Sequence, residues 1–180
     1  MKDKFYQQAR HEYSPNQRLI ALICLAPVFL LILPWLFVSL GRGLDQRLGW
    51  PPFPAQPANL ILGLLLALPS FLFAFWSIYS QFTLGRGTPV PLMATQQLVV
   101  QPPYTYCRNP MALGTIGAYL GVAVLFQSIG AAVLVLFLVS LLLIYIWRVE
   151  EKEMVTRFGQ DYLDYRRRTP FLIPRLTRRG

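Results

Sequence analysis

Between Met111 and Trp147 the chain runs 37 residues without a charged side chain. Wound as one helix at about 1.5 Å per residue, it would extend about 55 Å, nearly twice the roughly 30 Å hydrocarbon thickness of a bilayer. One crossing cannot use that length. Gln127, Ser128 and Gly130 are the turn-forming residues near its middle. A break there leaves Met111–Phe126 and Ala131–Trp147, each just long enough for one limb of a tight helical hairpin.

Two more apolar runs precede it. Leu19–Leu40 covers 22 residues between Arg18 and Arg42, and Leu60–Tyr79 covers 20. With 54% hydrophobic and 14% charged residues, the chain is more apolar than a soluble domain of its size needs to be. The first 18 residues are polar, and Leu19–Leu40 is longer than a signal-peptide core and lacks a small-residue cleavage site. It is therefore expected to be retained as an anchor.

Basic residues orient the spans. With four crossings and both termini cytoplasmic, fifteen of the 17 Lys and Arg residues fall inside; Arg42 and Arg47 fall outside, as the positive-inside rule requires. Three crossings give a poorer split. The expected fold is an all-α integral membrane protein with four transmembrane helices, the last two a tight hairpin, and a cytoplasmic amphipathic C-terminal segment. The divisions are 1–18 (cytoplasmic N-terminus), 19–40, 60–79, 81–110 (cytoplasmic loop), 111–126, 131–147 and 148–180 (cytoplasmic tail). Localisation in a bacterial inner membrane is expected. The +9 net charge then reflects topology and attraction to anionic membrane lipids, and a nucleic-acid partner is not expected. Oligomeric state is not readable from these features.

Several chemistries are excluded early. His11 is the single histidine, which removes imidazole metal sites and a histidine-based triad. Cys24 and Cys107 are too few and too far apart for a disulfide framework or a thiolate zinc site.

Pro27, Pro34 and Pro69 are expected to bend the first two spans. Gly49–Pro57, with four prolines, reads as an external loop, with Trp50 and Phe53 near the interface. The 81–110 segment is too polar and proline-punctuated to span. Within it Gly85–Pro91 reads as turns and Gln97–Val100 as at most a short extended piece, while its apolar content argues for order.

A polar cluster stands at each end of the hairpin. At Asn109-Pro110 the residue types suit an N-cap and a first helical position. Such a helix start also presents free N–H groups and a partial positive charge to a carboxylate or phosphate, with Arg108 beside it. Continued helical spacing puts Trp147, Glu151, Met154 and Phe158 on one stripe, and Glu150 and Glu153 with Arg157 on the exposed side. A carboxylate on a packed face near the membrane must be paired or functional. Arg148, otherwise a snorkelling anchor, could pair with Glu151 at i+3, and Glu153–Arg157 reads as an ordinary surface pair. Gly159 reads as a helix stop. Asp161–Arg168 follows as an amphipathic piece with Tyr162 and Tyr165 on one side and arginines for headgroups, and then Phe171–Pro174 as an apolar patch.

GRGTPVP, then PPYTYCRNPMALG, a hairpin, and RVEEKEMVTRFGQDYLDYRRRTPFLIP resemble the integral-membrane methyltransferases of the isoprenylcysteine carboxyl methyltransferase and phospholipid N-methyltransferase type. The resemblance covers about Gly85 to Pro174. It implies that Arg108, Asn109, Pro110 and Gly114, with Glu150 and Glu151, line an S-adenosylmethionine site. Tyr104 and Tyr106 precede that site, Arg148 is counted with it, and Tyr162, Tyr165 and Arg166 help to cover it. Asn109 and Glu151 are the candidates for a catalytic role. Asn109 stands where many members have His, so a proton-accepting imidazole is missing, and Ala112 replaces a usual Tyr.

The cofactor's groups suit these residues: a carboxylate for the helix start and arginines, an ammonium for Glu151 or Glu150, and an adenine for Tyr104, Tyr106 or Trp147. Methyl transfer from a sulfonium needs positioning and exclusion of water, without metal or nucleophile. The expected partners are membrane lipids and a hydrophobic or lipidic methyl acceptor: a lipid headgroup amine, a prenylated or other lipidic carboxylate, or a small thiol. A non-catalytic scaffold or lipid-binding protein is the alternative, and a transporter ranks third.

Overall fold

A computed structural model describes residues 13–88 and 95–174. Lys2, Lys4, Arg10 and His11, the end of the expected Gly85–Pro91 turn, and Arg175, Arg178 and Arg179 lie outside the described residues. Within them the structure is all helical, with no strand, and Gln97–Val100 joins none.

Helix α1 (Pro15–Leu48, 34 residues) is longer than expected at both ends. Ser14 starts it with a full capping box: its hydroxyl accepts from Gln17 N at 3.3 Å while Gln17 Oε1 accepts from Ser14 N at 2.9 Å. Gly49, in the left-handed region at φ 67°, ends it. Between Pro27 and Pro34, each without an N–H to give to the preceding turn, the winding widens to a π turn at Val28–Ile32. Arg18, expected as a boundary residue, is buried inside this helix. It donates to Phe82 O at 2.8 Å and lies over the Phe82 ring, tying the start of α1 to the end of α2 (Ala58–Thr83).

The hairpin forms where the length argument puts it. Helix α3 (Pro110–Leu125) turns at Phe126–Ser128 into α4 (Ile129–Tyr145). Ser128 caps α4 through Ala131 N, and the Asp45 carboxylate on α1 accepts from both Ser128 Oγ (2.6 Å) and Gly130 N (2.7 Å). The α2–α3 contact is backbone-close: a Cβ on Gly114 would stand 2.6 Å from Ala74 N, and one on Gly121 2.6 Å from Ala67 N. This is the small-residue packing that replaces the hydrophobic effect inside lipid. Among the described residues three helical stretches are long and apolar enough to cross a membrane; α3, with 16 residues, is a shorter apolar helix.

Beyond Tyr145 the chain stays helical through a second π turn, Ile146–Glu150, into α5 (Glu151–Arg168). Gly159 is a bend and not the expected stop: at φ 54°, ψ −127° it redirects the chain and the helix resumes. Only glycine holds that conformation without strain. The bend turns Tyr162 and Tyr165 inward, against Val99 and Tyr104 of the 95–110 loop, with Leu98, Met154, Val155 and Phe158 around them. The tyrosine face of this segment therefore docks on protein.

Candidate functional site

The two polar clusters meet at one end of the hairpin. Asn109 precedes α3 and Glu151 begins α5, so the π turn decides which way the carboxylate points. Glu151 N bonds Ile146 O, five residues back. This wider winding places Glu151 over Ile146, and the two are 5% and 6% exposed. Trp147, expected on the stripe of Glu151, instead stands 57% exposed.

Arg108 Nη2 lies 2.6 Å from Glu151 Oε1, and Arg166 Nη1 lies 3.9 Å from Glu151 Oε2. Arg148 is not the partner of Glu151. It is exposed and its guanidinium lies 5.0 Å from the Trp147 ring centroid, because the widened turn carries it to the opposite side.

Arg108 also holds the chain beyond α5. Its Nη1 donates to Arg166 O (2.9 Å) and Thr169 O (3.2 Å), its backbone N to Pro170 O (2.8 Å), and its guanidinium lies near the Phe171 ring. Asn109 occupies the N-cap position, but its side chain does not cap. Its Nδ2 donates to Phe171 O at 3.0 Å. The pair thus clasps a strap, Arg166–Phe171, across the helix start.

Beside Arg108 and Asn109 lies a cleft of about 110 Å³, lined by these two with Tyr104, Glu150, Glu151, Tyr162 and Tyr165 among the residues expected from sequence. Gln81, Thr95, Leu98, Val99, Ile146 and Met154 complete it and were not foreseen. The apolar loop residues Leu98 and Val99 were the available signal, since a polar connection has little reason to carry them unless they pack.

The remaining expected residues stand elsewhere. Pro110 is fully buried as the first residue of α3. Gly114 faces α2 and serves helix contact. Tyr106 packs edge-on to Trp76, partly exposed. Arg166 touches the site through Glu151.

Burial sets the protonation of these groups. The Tyr162 hydroxyl is pushed up to about 12 by burial and then by the Glu151 carboxylate beside it. Tyr104 and Tyr165 are raised further, again mainly by burial. At neutral pH all three phenols are donors, and Tyr165 gives its proton to Tyr104 O at 2.7 Å. Burial also raises Cys107, which is fully buried, to about 11 and makes it a poor nucleophile. The Glu150 carboxyl is raised by burial and by Glu153.

The Glu153–Arg157 pair is present at 3.5 Å, but it is not an ordinary surface pair. Arg157 is largely buried, donates to Thr95 O, and is lowered by that burial. It fastens the loop to α5.

The stretch that carries the hairpin and both polar clusters is similar to known sequences. The profile of the family described as phospholipid methyltransferase matches residues 58–161, more than half of the chain. The chain belongs to that family. The match contains Arg108, Asn109, Glu150 and Glu151 and ends before Tyr162, Tyr165 and Arg166; it also leaves out α1. One relative is methanethiol S-methyltransferase 2 of Bradyrhizobium diazoefficiens, 30% identical over 104 residues, which are 58% of this chain and 38% of that protein. The chain thus aligns with well under half the length of this relative. No solved structure matches the chain.

Proposed function

We propose that this chain is an S-adenosylmethionine-dependent methyltransferase whose four apolar helices all cross the membrane, with both termini and the cleft on the cytoplasmic side of a bacterial inner membrane. The observation that carries the reading is the buried Arg108–Glu151 pair, which leaves a cation donor and an anion acceptor unfilled in one cleft: Arg108 Nε and Glu151 Oε1 are buried without a hydrogen-bond partner. Although Glu151 Oε1 is 2.6 Å from Arg108 Nη2, the two are not aligned as a hydrogen bond.

These residues fit a zwitterionic amino-acid group. Arg108 and the N–H groups at the start of α3 receive its carboxylate, and Glu151 and Glu150 receive its ammonium. When bound, S-adenosylmethionine supplies a methyl group made electrophilic by a sulfonium. The chain contributes orientation and dryness: Tyr104, Tyr162 and Tyr165 wall the cleft as neutral phenols.

At about 110 Å³ the cleft is below the roughly 300 Å³ at which sites for drug-sized ligands begin, so binding requires a wall to move. Arg108 and Asn109 line the cleft and hold the strap, so release of the strap frees that wall. The acceptor is hydrophobic or lipid-associated and arrives from the bilayer; a lipid headgroup amine, a lipidic carboxylate and a small thiol are the classes to test.

The deciding experiment is calorimetry with S-adenosylmethionine on the full chain in nanodiscs. Micromolar binding that Glu151→Gln abolishes supports the reading, and no binding to well-folded protein would favour a non-catalytic scaffold. Labelled cofactor incubated with a lipid extract and, separately, with small thiols identifies the acceptor. Reporter fusions at Pro54 and Gly180 test the topology, and a periplasmic C-terminus would sink the four-crossing arrangement.

A further inference from the structure

Hydrogen bonding around the cleft is incomplete in a third place. Five side-chain atoms among the described residues are buried without a hydrogen-bond partner. Two of them, Arg18 Nε and Asn59 Oδ1, belong to side chains that do not line the cleft and that each bond through another nitrogen, to Phe82 O and Leu125 O. The other three, Gln81 Oε1, Arg108 Nε and Glu151 Oε1, come from α2, the loop and α5 and line one cleft. Orphaned buried polar atoms are rare in folded proteins; Glu151 Oε1 keeps its ion pair with Arg108 at 2.6 Å, which leaves Gln81 Oε1 as the one of the three on a neutral side chain with no partner of either kind.

Arg108 and Glu151 are charged and match the zwitterionic end of the ligand. Gln81 is neutral. Its backbone carbonyl is occupied by Gly87 N at 3.2 Å, which leaves the carboxamide for something else. Leu98, Val99, Ile146 and Met154 supply the apolar part of the cleft's lining, side chains that suit a flat ring and not a second charge. A carboxamide presents an acceptor and a donor in one plane. That pattern pairs with the edge of adenine, the oxygen accepting from the exocyclic amine and the NH₂ donating to N7. A base with a carbonyl in place of the amine meets the oxygen with a second acceptor.

We propose that Gln81 is a specificity-determining residue that reads the base of the bound nucleoside donor and selects an aminopurine over an oxopurine. This rests on the methyl-donor reading above and adds to it a residue and a selectivity.

The test is calorimetry on the full chain in nanodiscs with S-adenosylhomocysteine and S-inosylhomocysteine. The wild type is expected to prefer the adenosyl ligand by about tenfold or more, within the roughly 5- to 150-fold that one bidentate base contact provides. Gln81→Leu is expected to lose adenosyl affinity and bind the two ligands within about twofold of each other, with an unchanged melting temperature. A purely structural Gln81 would lower the melting temperature and leave the ratio alone. If Gln81→Leu does not fold, Gln81→Met is measured with the same expectation. A preference that survives substitution, or a wild type without preference, overturns the assignment and leaves the methyl-donor reading standing. A wild type that binds neither ligand overturns both.

Discussion

Arg108 and Glu151 stand on opposite sides of the hairpin in sequence and 2.6 Å apart in space, with 11% and 7% of their side chains exposed. The contact ties the start of α3 to the start of α5, and the same guanidinium fastens the strap. One residue therefore joins three segments of chain, and its charge is balanced chiefly by one carboxylate.

Glu151→Gln strands Arg108. Breaking a buried pair costs about 3–5 kcal/mol, and the strap carbonyls that Arg108 still reaches place the expected loss at the lower end. Thermal unfolding should fall by several degrees, and S-adenosylmethionine binding should vanish. Combining Arg108→Met with Glu151→Leu should restore part of the stability and none of the binding. Recovery of both would reduce the pair to a structural role.

Asn109→Ala removes the bond to Phe171 O and no cap, so α3 should not lose the ~1 kcal/mol of a missing N-cap. The expected effects are a stability change near the 0.5–1.5 kcal/mol of one hydrogen bond, faster amide exchange at Thr169 and Phe171, and weaker cofactor binding. Unchanged exchange in the strap would contradict this account of Asn109.

Glu150 has a proton affinity raised in the folded state, so its linkage has a definite sign. A raised carboxyl leaves stability intact below the unfolded pKa and takes stability away as pH rises through the folded value. Glu150→Gln should therefore stabilise the apo protein at pH 7.5 and leave it unchanged near pH 3. A cationic ligand group beside Glu150 lowers that pKa again, so binding should release protons over the carboxylate range and tighten with rising pH. Calorimetry in buffers of different ionisation enthalpy measures the release, which Glu150→Gln should remove.

Gly159→Ala meets no neighbour, since the space around a Cβ there is open; its effect is conformational alone. Holding φ 54°, ψ −127° with a side chain costs on the order of 1–3 kcal/mol. The tail should lose its bend, pull Tyr162 and Tyr165 from the cleft and lower cofactor affinity, with near-ultraviolet dichroism of the tyrosines reporting the release.

Gly114→Ala should behave oppositely. Its Cβ would press on the backbone of Ala74, so the melting temperature should drop while any protein that remains folded binds cofactor normally. A selective affinity loss at full stability would return Gly114 to the ligand site.

The hairpin was legible because length and charge act over many residues: the turn at Gln127-Ser128 and the meeting of Arg108 with Glu151 follow from a segment too long to cross once. What sequence spacing missed follows from winding and from tertiary choice. A strict 3.6-residue period carries Trp147 onto the face of Glu151, whereas the π turn substitutes Ile146 and swings Arg148 away. Asn109 has the chemistry of a cap, and only the nearness of Phe171 O draws its amide elsewhere. Gln81 was invisible because it lies on the last turns of an apolar helix, where an isolated amide reads as an interfacial residue. Gly114 was read through the family resemblance, but its immediate surroundings are the backbone of α2.

The π turn at Ile146–Glu150 separates two demands that a uniform helix would lock together. The rotational setting of α4 answers to acyl chains and to its neighbours in the bilayer, and that of α5 answers to the buried guanidinium of Arg108. Five loosely wound residues act as a gearbox between them. Removing one residue there would restore an even α-helical pitch and rotate the carboxylate of Glu151 by about 100°, silencing the site while leaving every membrane-facing side chain in place.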